Sequence, residues 1–144
     1  MNQVNETDLI NYIRQNAEAA LNGINMVEGS IQGGDLKAVI QKQKNDYHGY
    51  YAEADRLLRQ ENGTPENMPL MAKMSATVMG NFKKLTYRDD RDIADTMIKG
   101  TSMGINALTK HLHEYDGADK DAKKLAETVI AFEENCIEEL KPYL

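Results

Sequence analysis

What most constrains this chain is its lack of interruption. Three prolines and ten glycines are all that punctuate 144 residues. Apolar residues recur with helical spacing throughout, and strand-like alternation is nowhere sustained. At 100° per residue, Leu9, Tyr12, Ile13, Ala17, Ala20, Leu21, Ile24, Val27 and Ile31 fall on one broad face. The pattern predicts a helix from an N-cap at Thr7 to about Gln32. Gly33-Gly34 ends it, and Asp35 caps a second helix to about Glu61, with Leu36, Val39, Ile40, Tyr47, Tyr50, Tyr51, Ala54, Leu57 and Leu58 inward. Asn62-Gly63-Thr64-Pro65 is the next break. A shorter third helix, about Asn67 to Thr86, tolerates Pro69 in its first turn. Asp89 or Asp90 caps a fourth, running to about Tyr115. After the Asp116-Gly117 turn a fifth runs from about Lys120 to Lys141.

The first, second, fourth and fifth helices are each long enough to reach roughly 33–40 Å at 1.5 Å per residue. Short linkers make sequence neighbours antiparallel. Either all five form an up-and-down bundle, or the third is a crossover that leaves the second and fourth parallel. A weak internal repeat favours the crossover. Gly23-Ile24-Asn25 precedes one interhelix turn and Gly104-Ile105-Asn106 precedes the other. Two related hairpins and a connector describe an all-α, antiparallel four-helix bundle.

The size fits a single domain with an adequate core. A net charge of −6 disfavours nucleic acid as a partner. A single cysteine excludes an internal disulfide framework and a cysteine-based zinc site. No apolar run is long enough to span a membrane, and the polar N-terminus carries no secretory signal, so a cytoplasmic setting is expected.

The organisation resembles the ferritin-like superfamily of four-helix bundles. Three stretches carry a narrower resemblance: Asn5-Glu6-Thr7 with Asn11-Tyr12-Ile13-Arg14-Gln15-Asn16-Ala17, the run Ile93 to Ile105, and Glu133-Glu134-Asn135 with Glu139-Leu140-Lys141. These look like an uncharacterised family of proteins from clostridia and related Firmicutes. The resemblance implies the ferritin-like fold and a bacterial cytoplasmic setting, and no substrate.

Ferritin-like di-iron sites take a Glu from each of two helices and a Glu-x-x-His pair from each of the others, because i and i+3 present both ligands to one metal pair. None of the three histidines stands three residues after a glutamate. The reversed spacing His111-x-x-Glu114 exists, with Glu114 turned away from the core face. Where ligands would sit, the chain instead offers Asn16, Gln43, Asp46, Tyr47, Tyr50, Thr101 and Glu133. Buried polar groups need partners. These seven are expected to form a hydrogen-bonded layer that fixes helix register or lines a ligand pocket. The alternative is a reduced iron or manganese site through Asp46, His111 and Glu133; otherwise no cofactor is expected. A small-molecule pocket at Asn16, Gln43 and Tyr47 is a third possibility.

Among eight methionines, Met68, Met71, Met74 and Met79 crowd the third helix, which makes it a candidate face for a homodimer. Gly100 and Gly104 are expected to let helices approach closely. Cys136 falls on the core face of the fifth helix and reads as an inert thiol. No nucleophile–base arrangement or phosphate loop emerges. The leading expectation is a non-enzymatic interaction or structural protein, with a metal-binding oxidoreductase or metal store as the alternative.

Overall fold

The computed structural model describes residues 4–65 and 89–144. Four long helices account for most of them: α1 (Glu6–Val27), α2 (Gly34–Gln60), α3 (Asp90–Glu114) and α4 (Lys120–Leu140). Short 3-10 turns follow α1 at Glu28–Ser30 and α4 at Lys141–Tyr143. The third predicted helix, with Met68, Met71, Met74 and Met79, lies outside the described residues.

Three of the four helices start where a side chain can take one or more of their unpaired N–H groups. For α1 this is Asn5, not Thr7: Asn5 Oδ1 accepts from the Asp8 N–H at 2.8 Å, and Asp8 Oδ2 accepts from the Asn5 N–H at 3.2 Å. That reciprocal pair is a capping box, which a threonine two residues later does not form. Asp89 caps α3 by accepting from Asp92 N–H, and Asp119 caps α4 by accepting from Asp121 and Ala122 N–H. α2 differs from expectation. Its N-cap is Gly33, with Asp35 inside the first turn. No side chain caps its first turn; Asp90, at the start of α3, instead accepts from the N–H groups of the preceding turn, Gln32 at 2.9 Å and Gly33 at 2.7 Å. At the other end of α2, Asn62 takes φ 55°. The N–H of Gly63 then donates to Leu58 O and that of Asn62 to Arg59 O, the Schellman arrangement.

These contacts set the topology. Asp90 places the start of α3 beside the α1–α2 turn. At the opposite end, Val4 N–H donates to Glu114 O, and Gly63 sits against Thr7. So α2 and α3 run parallel. The hairpins are α1–α2 and α3–α4.

The interior has two apolar clusters. One holds Leu9, Ile10, Ile13, Leu57, Leu58, Leu108, Leu125 and Val129; the other holds Leu21, Ile24, Val27, Leu36, Ile40, Ile93, Met97 and Leu140. Between them, at the waist, the apolar side chains give way to Asn16, Gln43, Thr101 and Glu133, all buried. Among the described residues no helix is long and apolar enough to cross a membrane.

Candidate functional site

Glu133 is the centre of the waist. Its position on α4 falls between Val129 and Cys136, on the same stripe as the core, so the side chain enters the bundle and is only 1% exposed. Both carboxyl oxygens are engaged. Asn16 Nδ2 on α1 donates to Oε1 at 2.5 Å, and the Tyr47 hydroxyl on α2 donates to Oε2 at 2.9 Å. Burial raises the carboxyl from its ordinary 4.5 to about 7, and the bonds from Asn16 and Tyr47 restrain the rise. Tyr47 is pushed well above its ordinary range by burial first and by the adjoining Glu133 second. At neutral pH Tyr47 therefore keeps its hydroxyl proton, and the Glu133 carboxyl stands near the midpoint of its titration.

The other waist residues build around this core. Gln43 Nε2 donates to Cys136 O at 3.3 Å, while its Oε1 is buried with no hydrogen-bond partner among the described residues. Thr101 on α3 donates its hydroxyl proton to Met97 O at 2.8 Å and stands beside the Tyr47 hydroxyl. The Cys136 thiol is fully buried, and burial together with Glu133 raises it above its ordinary range, as expected of an inert thiol.

Two of the seven expected layer residues stand elsewhere. Asp46 is half-exposed and pairs with Lys42 one turn back on the same helix, at 3.4 Å. At the edge of the apolar arc, its short carboxylate side chain finds water and a lysine more cheaply than the interior. Tyr50 is half-buried; its ring packs on Phe132 at 4.9 Å between centroids rather than joining the polar contacts. Asn16 and Tyr47 meet at Glu133 with Thr101 beside Tyr47, while Gln43 bonds the Cys136 carbonyl instead. His111 is placed on the α1 side, buried, with its ring stacked on Tyr12 at 3.4 Å and 6°. Asp46, His111 and Glu133 are not brought into one cluster, and no group of three or more His, Cys, Asp or Glu side chains suited to a metal ion occurs among the described residues.

One expectation narrows, and two contacts were not anticipated. Gly104, not Gly100, is the point of close approach: a Cβ at Gly104 would meet Asn16 Oδ1 at 2.5 Å and Glu133 Oε2 at 3.1 Å, whereas one at Gly100 meets nothing within 4 Å. The Tyr12–His111 stack could have been suspected only from both residues edging their helical stripes. Asn11, fully buried, donates through Nδ2 to Thr64 O at 3.1 Å, a contact across 53 residues that no local pattern signals.

One solved structure shares this arrangement of helices. It is a bacterioferritin-related protein from Bacteroides fragilis, described as a dodecameric thioferritin of the bacterial domain. It superposes with a TM-score of 0.73 at 13% identity, over 96% of this chain and 83% of that one. The fold is ferritin-like. No family model matches the sequence, and no curated protein matches it. At the centre of a ferritin-like bundle a di-iron pair requires several inward carboxylates and two histidines. Here the waist supplies one carboxylate, already bonded by Asn16 and Tyr47, together with two amides, a phenol and a threonine hydroxyl. The described residues do not fit a di-iron pair. Neutral oxygen donors and one carboxyl with a raised proton affinity hold protons better than they hold divalent cations.

Proposed function

We propose that this chain is a ferritin-like scaffold that works without a di-iron centre: a non-enzymatic structural or interaction protein that associates with copies of itself. The observation that carries this reading is Glu133, whose two oxygens are committed to Asn16 and Tyr47. A metal at that position would have to displace both donors and a proton. It would then find neutral ligands in place of the charged oxygens hard cations prefer. The clostridial resemblance and the cytoplasmic setting belong to the same proposal.

Self-association is supported by the Bacteroides fragilis neighbour, which is described as a dodecamer. Among the described residues, Leu144 is the one large hydrophobic side chain classed as exposed.

The test is metal analysis by mass spectrometry on protein purified without a tag or chelator, then incubated anaerobically with iron(II) or manganese(II). The expected result is far less than one ion per chain. One or two ions per chain would overturn the reading in favour of a reduced-ligand metal store or oxidoreductase. Light scattering over a concentration series tests the second half: a mass of 16.2 kDa at every concentration would remove self-association.

A further inference from the structure

Beside the waist, between α1 and α3, lies a small cavity of about 10 Å³ lined by Tyr12, Asn16, Gly104, Ala107, Leu108 and His111. That is about the space one water centre requires. The walls are not purely apolar. His111 is 7% exposed, and among the described residues neither of its ring nitrogens has a hydrogen-bond partner. Glu114 Oε2 stands 4.0 Å from His111 Nδ1, beyond hydrogen-bond range. Tyr12 covers one face of the ring by stacking and leaves the nitrogens at the ring edge. Asn16 closes the other end. Its amide nitrogen is spent on Glu133, so its oxygen is turned toward Gly104, where a Cβ would touch it. A neutral imidazole buried with neither nitrogen paired costs about 1–3 kcal/mol per orphaned group. A water with an acceptor on one side and the imidazole on the other removes that cost at one of the two nitrogens.

We infer that this cavity is a binding site for a single water molecule, held between His111 and Asn16, and that His111 acts through it as a positioning residue for Glu133. The water donates one proton to Asn16 Oδ1 and meets a His111 ring nitrogen with its remaining valence. Fixing Oδ1 fixes the amide flip, and only one flip points Nδ2 at Glu133. Burial holds His111 below its ordinary range, with Glu114 opposing and Lys110 assisting, so the neutral ring is the form that meets the water. Glu133 is faced by Asn16 from α1, Tyr47 from α2 and the Gly104 backbone from α3, with the Cys136 thiol one turn along its own helix. None of these carries a charge in its favoured form. The orientation of Asn16 is therefore the adjustable element of that environment. The inference rests on the metal-free reading of Glu133.

The experiment uses the full chain. In the wild type, rotating-frame NMR should show cross-relaxation between a long-lived water and the Ala107 methyl or the His111 ring protons. No such water would overturn the site. His111→Phe keeps the stack on Tyr12 and removes both nitrogens. If a water bridges, this variant loses the water signal and is less stable than wild type. Its Glu133 carboxyl band, followed by infrared spectroscopy, titrates about half a pH unit or more higher, because the Asn16 bond that favours the carboxylate is lost. A more stable variant with an unmoved titration would mean a dry cavity and would overturn the inference. His111→Gln, which restores a polar contact, should return the titration toward wild type. Should His111→Phe fail to fold, the wild-type water signal and His111→Gln decide the matter. Loss of the carboxyl band on adding magnesium(II), a diamagnetic hard cation, while the water signal persists would separate failure of the metal-free reading from failure of the water site.

Discussion

The Tyr47 hydroxyl and Glu133 Oε2 meet at 2.9 Å across the boundary between the two hairpins, each with its side chain 1% exposed or less. Burial of the Glu133 carboxyl at this contact, only partly offset by the bond itself, makes stability depend on pH with a definite sign. Glu133 keeps its proton up to about 7 in the fold, against an ordinary 4.5. Between those values the folded state binds more protons than the unfolded one, so this contribution is complete below 4.5 and is lost as pH rises through 7. The shift corresponds to about 3 kcal/mol. Glu133→Gln removes it. Urea unfolding should find the variant close to wild type at pH 5 and more stable by about 3 kcal/mol at pH 8. Parallel pH profiles for the two proteins would sink this assignment.

Gly100 and Gly104 lie one turn apart on α3, yet alanine should act oppositely at the two. At Gly100 an added methyl meets nothing within 4 Å. The substitution raises helix propensity and should stabilise by about 0.5–1 kcal/mol. At Gly104 the methyl collides with Asn16 Oδ1 and presses Glu133 Oε2. The expected loss is about 1–3 kcal/mol, as for other overpacked interiors. Thermal melts of the two single variants check both signs.

Cys136 should be silent to alkylation in the folded protein. Its side chain is fully buried, and burial with nearby Glu133 raises the thiol far above neutral pH. Iodoacetamide at pH 8 should label it only as the bundle opens, so the rate should track unfolding as urea is added. Rapid labelling in the absence of denaturant would contradict the burial of α4.

Asp90→Ala should cost about 1–2 kcal/mol, because the N–H groups of Gln32 and Gly33 then lose their acceptor. Asp90→Asn, which keeps one carbonyl oxygen, should recover part of that loss. Equal losses for both variants would point to charge rather than to the paired N–H groups.

The faces and approximate spans of the four described helices were legible because the apolar period is unbroken and Gly33-Gly34, Asn62-Gly63 and Asp116-Gly117 stop it locally, whereas α1 is capped by Asn5 rather than Thr7 and ends at Val27, short of the expected Gln32. The waist was legible in part, since Asn16, Gln43, Tyr47, Thr101 and Glu133 interrupt otherwise apolar stripes. Asp46 and Tyr50 were misplaced because a residue at the edge of a stripe can turn either way. A lysine at i−4 and a phenylalanine on another helix decided the matter. Asp90 capping the turn before α2, and Gly104 receiving Asn16, are contacts between segments far apart in sequence. No period or propensity reports on them.

The parallel course of α2 and α3 has a further consequence. Asn16 and Tyr47 reach Glu133, Gln43 reaches Cys136 O, and Tyr12 stacks on His111, each time from the first hairpin to the second. The hairpins thus behave as two half-molecules tethered end to end, with an internal association equilibrium of their own. A proton on one carboxyl enters that equilibrium as a ligand, and its departure weakens the affinity of the halves by about two orders of magnitude.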